Sequence, residues 1–373
     1  MKYLAYLSIV LTLLCLAPNR VDAGVSQEEL DQLQLPAGFK IEVLNFSVPN
    51  ARQMALTEEG TLIVGTRREG KVYAIPAALI NAKPKVITLF KKLNMPSGIT
   101  VHNNDLYIGA LNKIMQVKAI DQNLEEKPNH RVLVDDLPDE QHHGWKYLKV
   151  GPDGYLYIPV GAPCNICLSK DPRFASLLRM DLDNLEIKIW AEGIRNTVGF
   201  AWHPETQELW FSDNGRDMLG DDIPAEEINV ITKPGQHFGY PFVHEDGLKD
   251  KKFGQHKKGE GLAFTEPVLK IQAHSAALGL DFYSQSQFPS AYSGALFIAE
   301  HGSWNRSKKV GYRVSVLLNP GSPEQTYQPF IQGWLQGESP WGRPNDVLVT
   351  PDGTLLISDD AKGVIYRVSS SSQ

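Results

Sequence analysis

The sequence predicts an all-β fold, a six-bladed β-propeller built from four-stranded antiparallel blades. Three observations carry that expectation. A short apolar run of the type Gly-x-Leu-x-Val recurs six times, at residues 61–64, 105–108, 155–158, 208–211, 295–298 and 354–357. Each is followed by a second apolar run, at 70–75, 112–117, 175–180, 226–231, 311–316 and 363–368. The leucines that mark the first runs (Leu62, Leu106, Leu156, Leu209, Leu296, Leu355) are 44, 50, 53, 87 and 59 residues apart. Repeats of this length, made of strands and turn residues, are the signature of propeller blades. The long fourth step predicts an insertion on one rim, and the axis on which the loops converge is where function is expected.

Taken in order, residues 1–23 read as a Sec signal peptide: Lys2, an apolar run over 4–17, then Val21 and Ala23 at the cleavage positions. The run is too short to span a bilayer, which needs about 20 residues. The bulky Leu14 before Cys15 argues against a lipoprotein site. Residues 24–373 are then one exported propeller domain, periplasmic or secreted. Residues 26–33 suit a short helix and 35–44 the first strand. Turns are expected at Gly151-Pro-Asp-Gly154, His203-Pro-Glu-Thr206 and Thr350-Pro-Asp-Gly353. The polar stretch 242–265 falls inside the long step and reads as a surface excursion. The serine-rich tail 369–373 is expected to lack order.

Charge excludes some partners. The chain carries a net −6, and loss of residues 1–23 leaves 350 residues at −7. An acidic chain without a basic run is a poor match for nucleic acid. After residue 23 no apolar stretch is long enough to cross a membrane. Two cysteines remain, in Ala162-Pro-Cys-Asn-Ile-Cys167. In an exported chain the pair favours a disulfide that stiffens a loop over a metal site, which would need two further ligands.

Four places set unusual polar residues on turns at strand ends. They are Glu140-Gln-His-His-Gly-Trp-Lys146, Gly193-Ile-Arg-Asn196, the acidic turn Asp213-Asn-Gly-Arg-Asp217 with Glu226 and Glu227 behind it, and Ala299-Glu-His-Gly-Ser-Trp-Asn-Arg306 with Trp341-Gly-Arg-Pro-Asn-Asp346 one blade on. Arginines from several blades facing one axis would bind a planar polycarboxylate through charge-assisted hydrogen bonds. An imidazole beside it suits general-base work near neutral pH. An acidic, glycine-containing loop offers the oxygen donors that Ca²⁺ takes.

The order of these phrases resembles the soluble PQQ-dependent sugar dehydrogenases, the family of soluble glucose, sorbosone and pyranose dehydrogenases. The residues that carry the likeness are Leu35-Pro-Ala-Gly-Phe39, His143 ahead of Gly151-Pro-Asp-Gly154, Gly193-Ile-Arg-Asn196, Asn214-Gly-Arg-Asp217, Gly239-Tyr-Pro241, His301-Gly-Ser-Trp-Asn-Arg306 and Gly342-Arg-Pro-Asn-Asp-Val347. The resemblance implies PQQ and Ca²⁺ as cofactors, a sugar substrate and an external electron acceptor, a cytochrome or a quinone. It implies His143 as the general base and Arg195 beside the quinone oxygens. Asn196, His274, His301, Arg306 and Arg343 would contact the cofactor, and the carbonyls of Gly215 and Arg216 would hold the metal.

Two positions depart from the pattern. The family's glucose dehydrogenase branch orients its base with an aspartate where this chain has Ala162, and a second arginine expected after Arg343 is Asn345. Both point toward the sorbosone or pyranose branch, or to a member with reduced activity. The alternatives are a glycan- or protein-binding propeller and a Ca²⁺-dependent lactonase-like hydrolase, since a propeller fold does not by itself define its chemistry.

Overall fold

The computed structural model describes residues 24–370. The expected signal peptide and the last three residues of the tail lie outside the described residues. The architecture is a six-bladed β-propeller. Blade 1 comprises Ala51–Leu56, Leu62–Thr66, Val72–Ile75 and Ile87–Phe90, and blade 2 Gly98–His102, Asp105–Gly109, Ile114–Val117 and Arg131–Val134. Blade 3 holds Lys149–Val150, Leu156–Val160, Ser176–Met180 and Ile187–Glu192. Blade 4 holds Phe200–Trp202, Leu209–Asp213, Glu226–Ile231 and Leu269–Ile271, and blade 5 Ala277–Phe282, Leu296–Glu300, Arg313–Leu318 and Thr326–Ile331. Blade 6 starts with Pro344–Val349, Leu355–Asp359 and Val364–Ser370. The recurring apolar runs are the second strands and their followers the third strands of every blade.

These runs are apolar throughout because both faces of a blade are covered. Strand side chains alternate between faces. Leu62 and Val64 therefore pack toward blade 6, against Leu356 and Ile365, while Ile63 between them packs against Ile99, Leu106 and Ile108 of blade 2. The buried apolar residues divide in this way into a cluster at each junction between neighbouring blades.

Two features go beyond the sequence expectation. The strand Phe39–Val43 is the first of the chain, as expected, but it does not belong to blade 1. It pairs antiparallel with Val364–Ser370, Phe39 opposite Ser370 and Val43 opposite Tyr366, and so supplies the outer strand of blade 6. The two ends of the domain thereby close the ring. Blade 3 has a fifth strand, Gln236–His237, which runs parallel to Ile187–Glu192. This strand comes from the excursion after the third strand of blade 4, and it covers an edge that would otherwise present unpaired backbone groups. The rest of the excursion is a surface hairpin, Val243–His244 with Leu248–Lys249, and short turns.

The predicted helix is a single turn, Gln27–Asp31. Ser26 caps it by accepting from the Glu29 N–H, and the Glu29 carboxylate accepts from the Ser26 N–H. No helix among the described residues is long and apolar enough to cross a membrane.

Candidate functional site

In an antiparallel blade the start of the first strand lies beside the end of the second, as Ala51 lies opposite Thr66 and Ala277 opposite Glu300. Loops entering first strands and loops leaving second strands therefore open on the same face. Every sequence-selected site residue sits on one of these loops. These loops surround a cavity of about 300 Å³ lined by residues of five of the six blades and their connectors, including His143, Arg195, Asn196, Gly215, His274, His301 and Arg343. Its volume is at the lower end of the usual range for small-molecule sites, about 300–1,000 Å³.

His143 is buried in a left-handed conformation, φ 52°. Its Nδ1 lies 2.9 Å from the Ala162 carbonyl oxygen. A carbonyl can only accept, so Nδ1 carries the proton and Nε2 keeps its lone pair. Burial, then the charge of Arg195 and the neighbouring His142, hold the imidazole well below its usual pKa and therefore neutral. The carboxylate missing at Ala162 is thus replaced by that residue's own carbonyl. Gly161 makes the approach possible: a Cβ there would stand 2.6 Å from the His143 Cβ.

Arg195 is almost fully committed. Its Nε donates to the Asn165 carbonyl at 2.9 Å, Nη1 to the Asn214 carbonyl at 2.9 Å, and Nη2 to Asn165 Oδ1 at 2.9 Å and Asp217 Oδ2 at 3.2 Å. Its backbone N–H and that of Asn196 are both taken by Asp213, at 2.9 and 2.6 Å. Arg195 therefore offers a fixed charge more than an open fork. Asn196 donates to Asn214 Oδ1 at 3.1 Å, and its own Oδ1 is buried without a partner.

Arg343 crosses to blade 5, donating to the carbonyls of His301 and Gly302 at 3.0 and 2.8 Å. His301 Nε2 meets Asp360 Oδ1 at 2.8 Å, and the other oxygen of Asp360 pairs with Arg52 at 2.9 Å. Burial brings the His301 pKa down to about 4 despite Asp360, whose carboxyl is held far below the usual range although its own burial opposes ionisation; the charges of His301 and Arg52 prevail. His274 Nε2 lies 2.8 Å from the Gly220 carbonyl.

Sequence reasoning missed Arg52 and Arg67, and it noted Trp145 and Glu226 without giving either a role; all four line the cavity. Arg52 belongs to a bulge between Ala51 and Met54 in the innermost strand of blade 1; bulges re-aim side chains in this way next to sites. Arg67 stacks on Trp145, its guanidinium 4.0 Å from the ring centroid, and burial with Arg52 and Arg68 nearby lowers its pKa to about 10. Glu226 accepts from the Gly215 and Ala276 N–H groups at 2.8 and 3.1 Å, and burial raises it to about 7. The cavity thus carries four guanidinium groups although position 345 is Asn.

One expected contact, that of Arg306, lies elsewhere. Arg306 is absent from the cavity lining and bonds the Asp221 carbonyl and, at 3.1 Å, Asp222 Oδ1, so it ties two loops together. The Arg216 side chain turns to Asp250 at 2.5 Å, leaving only its backbone to face an ion. The expected disulfide Cys164–Cys167 is present.

The donor set fits a planar polycarboxylate. Four arginines from three sides supply the charge, Trp145 Nε1 and Arg52 Nε are buried donors with no partner in the protein, and Asn196 Oδ1 is a buried acceptor with none. Unpaired buried polar atoms are costly and mark places where a ligand completes the bonding.

Residues 33–371 match the model of the TrAA12-like family. The chain belongs to that family. It is 34% identical over 379 residues to an uncharacterised protein of Borreliella burgdorferi, covering 98% of this chain and 97% of that one. A shorter match, 34% over 188 residues, covers 49% of this chain and 44% of the aldose sugar dehydrogenase YliI of Escherichia coli. Among solved structures, a calcium structure of the family AA12 enzyme of Trichoderma reesei superposes with a TM-score of 0.77 at 18% identity, covering 91% of this chain and 97% of that one. The holo PQQ domain of pyranose dehydrogenase from Coprinopsis cinerea gives 0.73 at 17% identity, covering 90% and 97%. At these identities the structural likeness establishes the fold, which is that of PQQ-type sugar dehydrogenases.

Proposed function

We propose that this protein is a quinoprotein that oxidises a sugar, an aldose or a sorbosone-like aldehyde, with PQQ and Ca²⁺ as cofactors. The observation that carries the reading is His143: a neutral imidazole, its tautomer set by a backbone carbonyl, in the wall of an arginine-lined cavity. Bound there, PQQ would accept the hydride, and Ca²⁺ would act on its quinone as a Lewis acid. His143 Nε2 takes the proton of the sugar hydroxyl. Arg195 would present a fixed positive charge to the bound cofactor, already oriented and so at no cost of reorganisation during the reaction. Arg52, Arg67 and Arg343 would hold carboxylates, and Asn196, His274 and His301 contribute polar contacts. The carbonyls of Gly215 and Arg216 would face the ion. The lactonase alternative is less well supported, because the carboxylates of Asp213 and Glu226 are turned onto backbone N–H groups. The protein would act after export, in the periplasm or outside the cell, passing electrons to a cytochrome or a quinone.

The test is a PQQ titration of residues 24–373 with Ca²⁺, followed by dye reduction with a panel of sugars. Stoichiometric binding with sugar-dependent reduction is expected; absence of PQQ binding would remove the proposal.

A further inference from the structure

The Cys-x-x-Cys loop has no part in the chemistry proposed above, yet it touches its most constrained residue. Asn165 lies between the two bridged cysteines, in the loop joining the second and third strands of blade 3. Its carbonyl accepts from Arg195 Nε and its Oδ1 from Arg195 Nη2, both at 2.9 Å. The same Oδ1 accepts from the Asp217 N–H at 2.8 Å, and Nδ2 donates to the Asp217 carbonyl at 3.1 Å. Asn165 therefore binds the arginine and the blade 4 loop that also holds it. The loop itself is anchored where Tyr240 Oη accepts from the Cys167 N–H at 2.9 Å.

We propose that Asn165 is the positioning residue of Arg195, and that the Cys164–Cys167 bridge acts on the site through it. The proposal rests on the quinoprotein reading only for its catalytic consequence. An arginine side chain has many rotamers to choose among, and two bonds to a residue in a closed four-residue ring hold it in one geometry. Without the bridge, the peptide at 165 can rotate and its carbonyl leaves Nε. A displacement of about 1 Å at a reacting centre can cost on the order of 100-fold in rate.

The test compares Asn165→Ala, Asn165→Asp, the Cys164→Ser/Cys167→Ser double variant, and the double variant combined with Asn165→Ala. In the cofactor-free protein labelled with ¹⁵N-arginine, the Arg195 Nε–H signal is assigned by its loss in Arg195→Lys. Its exchange with water is expected to quicken at least tenfold (about one unit of log rate) in the cysteine variant, where the carbonyl at 165 is freed to turn; Asn165→Ala keeps that backbone acceptor and removes the Oδ1 that holds Nη2, so there the Nη2 protons are the ones expected to exchange faster. Asn165→Asp keeps both acceptors and should retain slow exchange. With PQQ, Ca²⁺ and sugar, kcat should fall by roughly 10- to 100-fold with KM little changed. Loss of the bridge should cost less in kcat once Asn165 is Ala than it costs alone, the non-additivity expected of one coupled unit. Unchanged Nη2 exchange in a folded Asn165→Ala protein, or unchanged Nε exchange in the folded cysteine variant, overturns the proposal, and additive losses of kcat overturn the route through Asn165. The exchange measurement needs no cofactor, so it decides the proposal even where no sugar oxidation is found.

Discussion

Gln53 offers the sharpest test of how the ring is held around the site. It is buried beside Arg52 in the bulge of the innermost strand of blade 1. Its Oε1 accepts from the Ile99 and Leu148 N–H groups, each at 2.8 Å, and its Nε2 donates to the Leu148 carbonyl at 2.6 Å. One side chain thus fastens blade 1 to the first strand of blade 2 and to the segment entering blade 3. Gln53→Leu preserves the volume approximately and leaves two N–H groups and one carbonyl buried without partners. At about 1–3 kcal/mol for each orphaned group, with partial relaxation, the loss is about 3–6 kcal/mol. That is a large share of a typical domain stability of about 5–15 kcal/mol. The assay is equilibrium unfolding in urea followed by tryptophan fluorescence, read as a lower midpoint at unchanged slope. A loss below about 1 kcal/mol would refute the argument, because it would mean that these backbone groups find other partners.

Three further outcomes are expected. The acidic limb of kcat/KM should lie well below pH 6.5, because His143 faces Arg195, His142 and Arg67 and is held neutral as pH falls through its ordinary pKa; a half-maximal rate at pH 6.5 would contradict its role as base. Arg67→Ala should weaken PQQ binding by at least about tenfold, the loss of one charge-assisted bond of about 1.5–3 kcal/mol, and isothermal titration would show an unchanged affinity if Arg67 only packs on Trp145. Chelation of Ca²⁺ should inactivate the enzyme and Ca²⁺ should restore it, whereas full activity in excess chelator would remove the metal from the Gly215–Arg216 loop.

Much of the fold is legible in the sequence because it is encoded locally. A strand covered on both faces must be apolar at consecutive positions, so the second and third strands of all six blades stand out as paired runs. The Ser26 cap, the Pro-Asp-Gly turns and the Cys164–Cys167 bridge depend on residues within a few positions of one another. His143, Arg195, Asn196, His274, His301 and Arg343 are legible as polar residues at strand ends, and the structure brings them to one cavity.

Other features have no local signal. Arg306 sits on the same type of turn as His301, but its partners Asp221 and Asp222 come from the neighbouring blade and hold it outside the cavity lining. Arg52 looks like an ordinary strand residue until the bulge turns it, and Arg67 like a surface charge until Trp145 arrives beneath it from the next connector. The partner of His143 is a backbone carbonyl, a group every residue possesses, so Ala162 reads as a gap in the sequence and as a contact in the structure.

The sequence by itself determined the six blades, the positions of their second and third strands and the loops that carry the site, because alternation and turn chemistry act over a few residues. Only the tertiary structure decided which blade Phe39–Val43 joins, which arginines meet at the axis and what orients the imidazole. Those depend on the closure of the ring, which brings together groups that no spacing along the chain relates.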